Sequence, residues 1–281
     1  MQKQYSQAPL PFMGQKRMFA KEFRQILKQF SEATVFVDLF GGSGLLSHIT
    51  KCEKPNATVV YNDYDNYRKR LENIPKTNAL LTDLRAITVM CPHGKIIPED
   101  VKETLLNRIA REEQTGFVDY ITLSTSLLFS MKYVLTFESL CKETFYSHVK
   151  MTDYNADGYL AGLVIESSDY KDIFQKYKDI PDVVFLIDPP YLYTEAKMYN
   201  MSWNLADYLD VLTILHGISY VYFTSNKSSI LELCEWIERN NRTGNPFVGA
   251  NKRVFNAHMN FNSTYLDIML YKKPNVYKLD A

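Results

Sequence analysis

The 281-residue chain lacks the features that a secreted, membrane-spanning or metal-binding protein needs. Its four cysteines lie far apart, and none has the short spacing of a metal-ligand pair, so neither a disulfide framework nor a zinc site is expected. No run of about 18 apolar residues is present, which argues against a membrane-spanning helix. No secretory signal precedes the cysteines, so we expect reduced thiols and a cytoplasmic protein.

The chain also lacks an excess of charge of either sign. It has 32 basic and 32 acidic residues, and they cancel at neutral pH. Overall charge therefore gives no support to nucleic-acid binding, and any basic surface must be local. With 46% hydrophobic and 14% aromatic residues, the chain can form the core of one large domain or two modest ones.

The stretch VVFLIDPPY, from Val183 to Tyr191, carries the strongest functional signal. Five apolar residues predict a buried strand, and the prolines that follow Asp188 end it. Asp188 is therefore expected at the carboxyl end of a strand, where ligands bind in open α/β sheets. The irregular backbone after it leaves carbonyl groups unpaired and turned outward. Taken alone, the tetrapeptide DPPY, Asp188 to Tyr191, is also compatible with a plain turn at the end of a core strand.

A glycine-rich turn follows another predicted strand, Val35 to Phe40. The sequence FGGSG leads directly into a helix that begins near Leu45, and its glycines let the backbone approach a ligand closely. The next strand, Thr58 to Tyr61, ends in Asn62-Asp63, about twenty residues past the turn. Folds of this kind place an acid there to bind ribose hydroxyls. Further strands are predicted at 163–166 and 220–224, and an antiparallel pair at 254–256 and 264–271.

Taken in order, these segments resemble the motifs of Dam-type DNA adenine-N6 methyltransferases, which use S-adenosylmethionine. An aromatic residue and a lysine open that family's first motif, as Phe12 and Lys16 do here, and FVDLFGGSG is similar to its donor-binding motif. DPPY resembles the catalytic signature. The resemblance implies a Rossmann-like class I methyltransferase fold: α/β, with a mostly parallel seven-stranded sheet and an inserted helical target-recognition subdomain.

The chemistry of that family explains the residue types in DPPY. An aromatic amine is a poor nucleophile, because its lone pair is delocalised into the ring. Asp188 and the carbonyl of Pro189 would accept hydrogen bonds from the amine and turn its lone pair toward the methyl group. Pro190 would help to hold the backbone rigid, and Tyr191 would stack on a base extruded from the duplex.

The resemblance also implies a donor site. Gly14 and Lys16 precede a helix predicted from Phe19 to Phe30, and the positive end of a helix suits the carboxylate of the donor. Asp63 would bind the ribose, and Asp169, after the strand at 163–166, would lie beside the adenine of the donor. The full set of candidate donor ligands is Phe12, Gly14, Lys16, Asp38, Phe40, Gly42, Gly44, Asp63, Asp169 and Asp188. No metal is implied.

The α/β alternation lapses between residues 84 and 160, where helices are predicted at 98–114 and 117–140. The resemblance implies that residues 84–160 form a target-recognition subdomain and that 1–83 and 161–281 form the catalytic domain. A packing subdomain with no role in DNA binding is the alternative. The candidate DNA contacts are Lys132, Tyr199, Trp203, Lys252 and Arg253, although aromatic loop residues often belong to the local core and paired basic residues often lie solvated on a turn.

The expected activity is methyl transfer to adenine N6 in double-stranded DNA by base flipping. One rival is the same chemistry on cytosine N4 or on an RNA base, and another is a non-catalytic DNA-binding specificity partner with the same fold. Intact glycines, Lys16, Asp188 and Tyr191 argue against the second rival. A nucleoid-associated monomer or weak dimer is expected, with a cognate restriction endonuclease as a candidate partner and no membrane contact.

Overall fold

The computed structural model describes residues 3–129, 132–190, 203–241, 244–260 and 263–273. The chain divides into two compact units. The first consists of residues 1–7, 15–65 and 160–281, and the second of residues 8–14 and 66–159. The second unit thus begins at residue 66 rather than at 84, and it includes a short piece of the N-terminal segment.

The first unit contains a seven-stranded sheet with the strand order β3-β2-β1-β4-β5-β7-β6. Neighbouring strands from β3 to β5 are parallel, and β7 is antiparallel to both β5 and β6. The predicted mostly parallel seven-stranded sheet is therefore confirmed, and its last two strands are longer than expected. The strands are β1 Val35–Asp38, β2 Thr58–Asn62, β3 Val164–Glu166, β4 Val184–Ile187, β5 Ser219–Ser225, β6 Asn251–Asn260 and β7 Ser263–Lys272.

The helices of the described residues alternate with these strands in the first unit and follow one another in the second. A 3₁₀ turn, Arg17–Phe19, precedes the first of them, so the helix predicted from 19 to 30 is shorter. In chain order they are α1 Ala20–Leu27, α2 Leu45–Glu53, α3 Tyr67–Glu72, α4 Ile74–Ile87, α5 Glu99–Gln114, α6 Tyr120–Leu127, α7 Phe137–Cys141, α8 Tyr170–Tyr177, α9 Leu205–Ile214 and α10 Ile230–Asn241.

Both faces of the sheet are covered by hydrophobic clusters. Successive residues of a strand point to opposite faces, so Val37 and Phe185 pack with α8, α9 and α10, whereas Phe36 and Val184 pack with α1 and α2. All four of these side chains are buried. This double coverage explains why the central strands are continuous apolar runs in the sequence, and it leaves the carboxyl ends of the strands as the place for polar groups.

The second unit has a hydrophobic core of its own, to which α4, α5, α6 and α7 contribute. The predicted helix at 98–114 agrees with α5, whose N-cap is Pro98. The predicted helix at 117–140 was wrong, because α6 ends at Leu127 and the backbone of Leu128 is extended. The hydroxyl of Ser124 accepts a hydrogen bond from the amide of Val134, and this bond fixes the chain beyond α6.

A buried ion pair explains why residues 8–14 belong to the second unit. Arg70 Nε donates to the carboxylate of Asp119 at 3.1 Å, and Arg70 Nη2 donates to the carbonyl of Pro11 at 2.8 Å. The amide of Leu10 donates to the hydroxyl of Tyr67 at 2.9 Å. Helix α3 therefore holds this N-terminal segment through the side chains of Tyr67 and Arg70, contacts that sequence patterns do not reveal.

Candidate active site

The acid of DPPY lies directly after β4 and forms an ion pair. Lys16 Nζ is 2.6 Å from Asp188 Oδ2, and the two side chains are only 10% and 16% exposed. Pro189, the next residue, is buried. Lys16 is the N-cap of the 3₁₀ turn before α1. The start of this helical segment therefore contributes a side chain as well as backbone amides. The contact between Lys16 and the candidate catalytic carboxylate was not predicted from the sequence.

The second oxygen of Asp188 has a different environment. Asp188 Oδ1 is buried and has no hydrogen-bond partner among the described residues. Burial raises the pKa of Asp188, the charge and hydrogen bond of Lys16 oppose this shift, and Asp267 of β7 adds to it. A buried acceptor without a partner is costly, so Asp188 Oδ1 is suited to accept a hydrogen bond from a ligand.

Asp38, the last residue of β1, has a similar arrangement. The hydroxyl of Ser47 donates to Asp38 Oδ2 at 2.7 Å, and Asp38 Oδ1 is buried without a partner in the described part of the chain. Burial raises the pKa of Asp38 to about 7, the hydroxyl of Ser47 opposes the shift, and nearby Asp188 adds to it. Two carboxylates at the ends of adjacent strands thus each present one unsatisfied oxygen.

The glycine-rich turn between β1 and α2 is tightly closed. Gly42 and Gly44 have φ values of 47° and 72°, a left-handed conformation that glycine adopts without strain. The amide of Gly44 donates to the carbonyl of Gly41 at 2.7 Å. A Cβ atom on Gly41 would lie 2.3 Å from the ring of Tyr61, so a side chain has no room there. Glycine at position 41 is therefore required by the packing of Tyr61 against the turn.

Tyr61 of β2 connects this turn to the candidate ribose ligand. Its hydroxyl lies 2.8 Å from the carbonyl oxygen of Gly42 and 2.9 Å from Asp63 Oδ1, and its single proton serves one of the two at a time. The amide of Asp63 donates to the carbonyl of Glu166 in β3 at 2.7 Å. Sequence reasoning missed Tyr61, although residues two apart in a strand share a face, and this spacing from Asp63 was a usable signal.

Asn62 was also missed as a structural member of the site. Its side-chain amide donates to the carbonyls of Leu39 at 2.9 Å and Ser168 at 3.0 Å. In return, its Oδ1 accepts from the amide of Ser168 at 3.2 Å. These bonds tie the segments that follow β1, β2 and β3 into one surface. Among the candidate residues of the first unit, Asp38, Asp63 and Asp188 lie at or directly after the ends of the neighbouring strands β1, β2 and β4, and Lys16 contacts Asp188.

Other candidate donor ligands have structural contacts of their own. Phe12 and Gly14 belong to the second unit, where the ring of Phe12 meets that of Tyr67 edge to face at 5.6 Å. Asp169 is exposed and caps α8, accepting from the amide of Lys171 at 2.8 Å. Phe40 packs against Tyr170 with their ring centroids 4.9 Å apart. The roles expected for these residues in donor binding stay predictions.

The candidate DNA contacts are distributed over the chain. Trp203 is half-buried in an aromatic cluster with Phe40, Tyr170 and Tyr208, and its Nε1 has no hydrogen-bond partner among the described residues. Lys132 is exposed and pairs with Glu143. Lys252 and Arg253 are exposed but lie within β6 and not on the expected turn, because the pairing with β7 begins at Asn251. Tyr191 and Tyr199 lie outside the described residues.

Neither a metal cluster nor a membrane span is present in the described ranges. No group of three or more His, Cys, Asp or Glu side chains there is placed to hold a metal ion. No helix of these ranges combines the length and the apolar character required to cross a bilayer. All four cysteines are free thiols.

Comparisons with known proteins indicate the family of the chain. Residues 12–230 match the model of the D12 class N6 adenine-specific DNA methyltransferase family. A Haemophilus influenzae protein that carries the provisional name of a methyltransferase is 36% identical over 285 residues, an alignment that covers 96% of this chain and 93% of that protein. The family match includes Lys16, the glycine-rich turn, residues 66–159 of the second unit and DPPY.

Proposed function

Because this chain belongs to the D12 class of N6 adenine-specific DNA methyltransferases, we propose that it methylates adenine N6 in double-stranded DNA, with S-adenosylmethionine as donor and the target base flipped out of the duplex. The observation that carries the proposal is Asp188, held by Lys16 at the end of β4 with Oδ1 free of partners in the described part of the chain. Membership of this family favours adenine N6 in DNA as the methylated position over cytosine N4 or a base in RNA.

The residues of the first unit fit S-adenosylmethionine. Its ribose hydroxyls are donors for Asp63, which Tyr61 orients, and Gly42 and Gly44, with their positive φ values, form the kind of turn that lets backbone approach a ligand closely. Its cationic groups suit Asp38 and Asp188, whose buried Oδ1 atoms lack partners among the described residues. When bound, S-adenosylmethionine supplies an electrophilic methyl group on a positively charged sulfur.

The chain's own residues have two tasks in the chemical step. Asp188 Oδ1 and the carbonyl of Pro189 accept hydrogen bonds from the target amine, which lowers its conjugation with the ring and exposes its lone pair. Lys16 keeps the carboxylate of Asp188 oriented through the bond to Oδ2. Pro190 restricts the backbone, and Tyr191 provides the stacking face for the extruded base.

We also propose that the second unit, which interrupts the α/β alternation, determines which DNA sequence is recognised. Its exposed Lys132 is a candidate contact to the DNA backbone, together with Lys252 and Arg253 of β6 and the aromatic residues Tyr199 and Trp203. A restriction endonuclease that cleaves the same unmodified site is a further candidate partner. We propose a monomer or weak dimer associated with the nucleoid.

The direct test is to sequence DNA from cells that express the chain and have no other DNA methyltransferase. We expect N6-methyladenine at one recurring short motif by single-molecule sequencing, and no modification with the Asp188→Asn variant. Because asparagine keeps the size of the aspartate side chain, this variant controls for protein that is folded but inactive. N4-methylcytosine at the motif, or methylation confined to RNA, would contradict the proposal.

Asp63→Ala should weaken binding of S-adenosylmethionine by about 10- to 100-fold, since hydrogen bonds to a charged acceptor contribute about 1.5–3 kcal/mol. Titration calorimetry measures the affinity, and thermal denaturation checks the fold. Tyr61→Phe is the matched control: it keeps the ring beside Gly41 but removes the hydroxyl that holds Asp63, so its effect should be smaller. Unchanged donor affinity in Asp63→Ala would remove Asp63 from the site.

A further inference from the structure

Asp38 and Asp188 form a carboxylate pair at the ends of the adjacent strands β1 and β4. One oxygen of each has a partner, Ser47 for Asp38 and Lys16 for Asp188, and the Oδ1 atom of each is buried without a partner among the described residues. Burial removes the water that would stabilise these oxygens, and two neighbouring negative charges repel each other. The pair therefore needs either a proton or a cationic ligand.

Several elements contribute groups that act on this pair. Burial raises the pKa of Asp188. Lys16, before α1, opposes this shift, and Asp267 of β7 adds to it. The Ser47 hydroxyl and the backbone amides of Phe40 and Ser47 stabilise the carboxylate of Asp38, whereas burial and Asp188 destabilise it. On the neighbouring strand, β2, Asp63 is engaged by Tyr61. Together these effects raise the pKa of Asp38 to about 7. A small change in the local charge therefore changes the protonation state of Asp38 near neutral pH.

We propose that Asp38 holds a proton in the free protein and releases it when the methyl donor binds, so that Asp38 and Asp188 select the donor over its demethylated product. This inference rests on the proposed function. The donor carries a sulfonium and an ammonium group, whereas the product has lost the sulfonium charge. The positive charge of the donor is therefore balanced best when both carboxylates are ionised. The smaller positive charge of the product is balanced when one of the two carboxylates is neutral.

The proton balance of methyl transfer agrees with this exchange. The carbon–sulfur bond breaks with its electron pair staying on sulfur, the lone pair of the target nitrogen forms the new bond to carbon, and that nitrogen loses one proton. Asp38 takes up one proton as the positive charge on sulfur disappears. The bound complex therefore exchanges no net proton with solvent during the chemical step, and Asp38 returns to the protonated state that it has in the free protein.

The exchange predicts different pH dependences for the two ligands. Below the pKa of Asp38, donor binding must expel a proton, so donor affinity should rise by up to tenfold per pH unit and level off above about pH 7. Product binding expels no proton from Asp38, so the affinity for S-adenosylhomocysteine should change little over the same range. Donor over product selectivity should therefore increase with pH.

Titration calorimetry of the full chain tests this, with S-adenosylmethionine and S-adenosylhomocysteine as the two probes. At pH 6, titrations in buffers of different ionisation enthalpy should show close to one proton released per donor bound and none per product bound. The matched variant is Asp38→Asn, which is neutral and isosteric with the protonated acid, so it should fold. It should lose the proton release and the selectivity gained between pH 6 and pH 7.

The outcomes separate this inference from the proposed function. If the chain binds neither probe, the proposed donor site is wrong. If it binds the donor without proton release, or if Asp38→Asn releases the same number of protons as the unmodified chain, the inference is overturned while the donor site stands. Difference infrared spectroscopy gives a second readout, because a protonated carboxyl band should disappear on donor binding and persist when the product binds.

Discussion

Asp188→Asn should lower the rate of methyl transfer by about 10²–10³, the cost of removing one preorganised electrostatic group from a transition state. The substituted amide can present an NH₂ group to the target amine, which then loses an acceptor and gains a repulsive contact. The acceptor that would be lost is Asp188 Oδ1, which has no hydrogen-bond partner among the described residues. Asp188→Ala should be similarly inactive, since the acceptor is absent there too.

The measurement is single-turnover methylation of a duplex that contains the recognised site, with 2-aminopurine fluorescence to report extrusion of the base. A defect in the chemical step lowers the rate while extrusion persists. Asp172→Asn on the exposed side of α8 is a suitable control, because it makes the same chemical change away from the site. Normal turnover of Asp188→Asn would remove the acceptor mechanism and revive a non-catalytic role.

The sequence predicted the fold because its signals are local. Buried parallel strands are apolar throughout, and Val35–Asp38 and Val184–Ile187 can be recognised within a few residues of their ends. The boundary of the second unit is harder to predict from the sequence. It depends on Arg70 and Tyr67 contacting residues 8–14, and a pattern in one segment does not reveal its distant partners. The break in the helix predicted at 117–140 likewise depends on Ser124 and Val134.

The sequence indicated which residues are candidates for the site but not which contacts they make. Asp38, Asp63 and Asp188 could be located because each follows a recognisable strand. That Lys16 contacts Asp188, and that burial raises the pKa of Asp38 to about 7, depend on packing around each group. Periodicity specifies which face a side chain lies on but not the charge that faces it, so the electrostatics of the site depend on the folded structure.

Lys16→Met should move the acid limb of the methyl-transfer pH profile to higher pH. The ammonium of Lys16 opposes the effect of burial on Asp188, so removing it raises the pKa of that carboxyl further. Only the ionised form is a pure acceptor, so activity is lost below the new pKa and recovered above it. At any pH on the acid limb the rate should fall, because a smaller fraction of Asp188 is ionised in the variant than in the unmodified chain.

The pH profile distinguishes an effect on Asp188 from an effect on donor binding. If Lys16 holds the donor carboxylate alone, Lys16→Met should raise the KM for the donor and leave the acid limb where it was. Lys16→Arg keeps the positive charge and should retain the acid limb, although the larger head group lowers the rate. The double variant Lys16→Met, Asp188→Asn removes both charges, and it should recover the stability lost in Lys16→Met, because breaking a buried pair from one side costs about 3–5 kcal/mol.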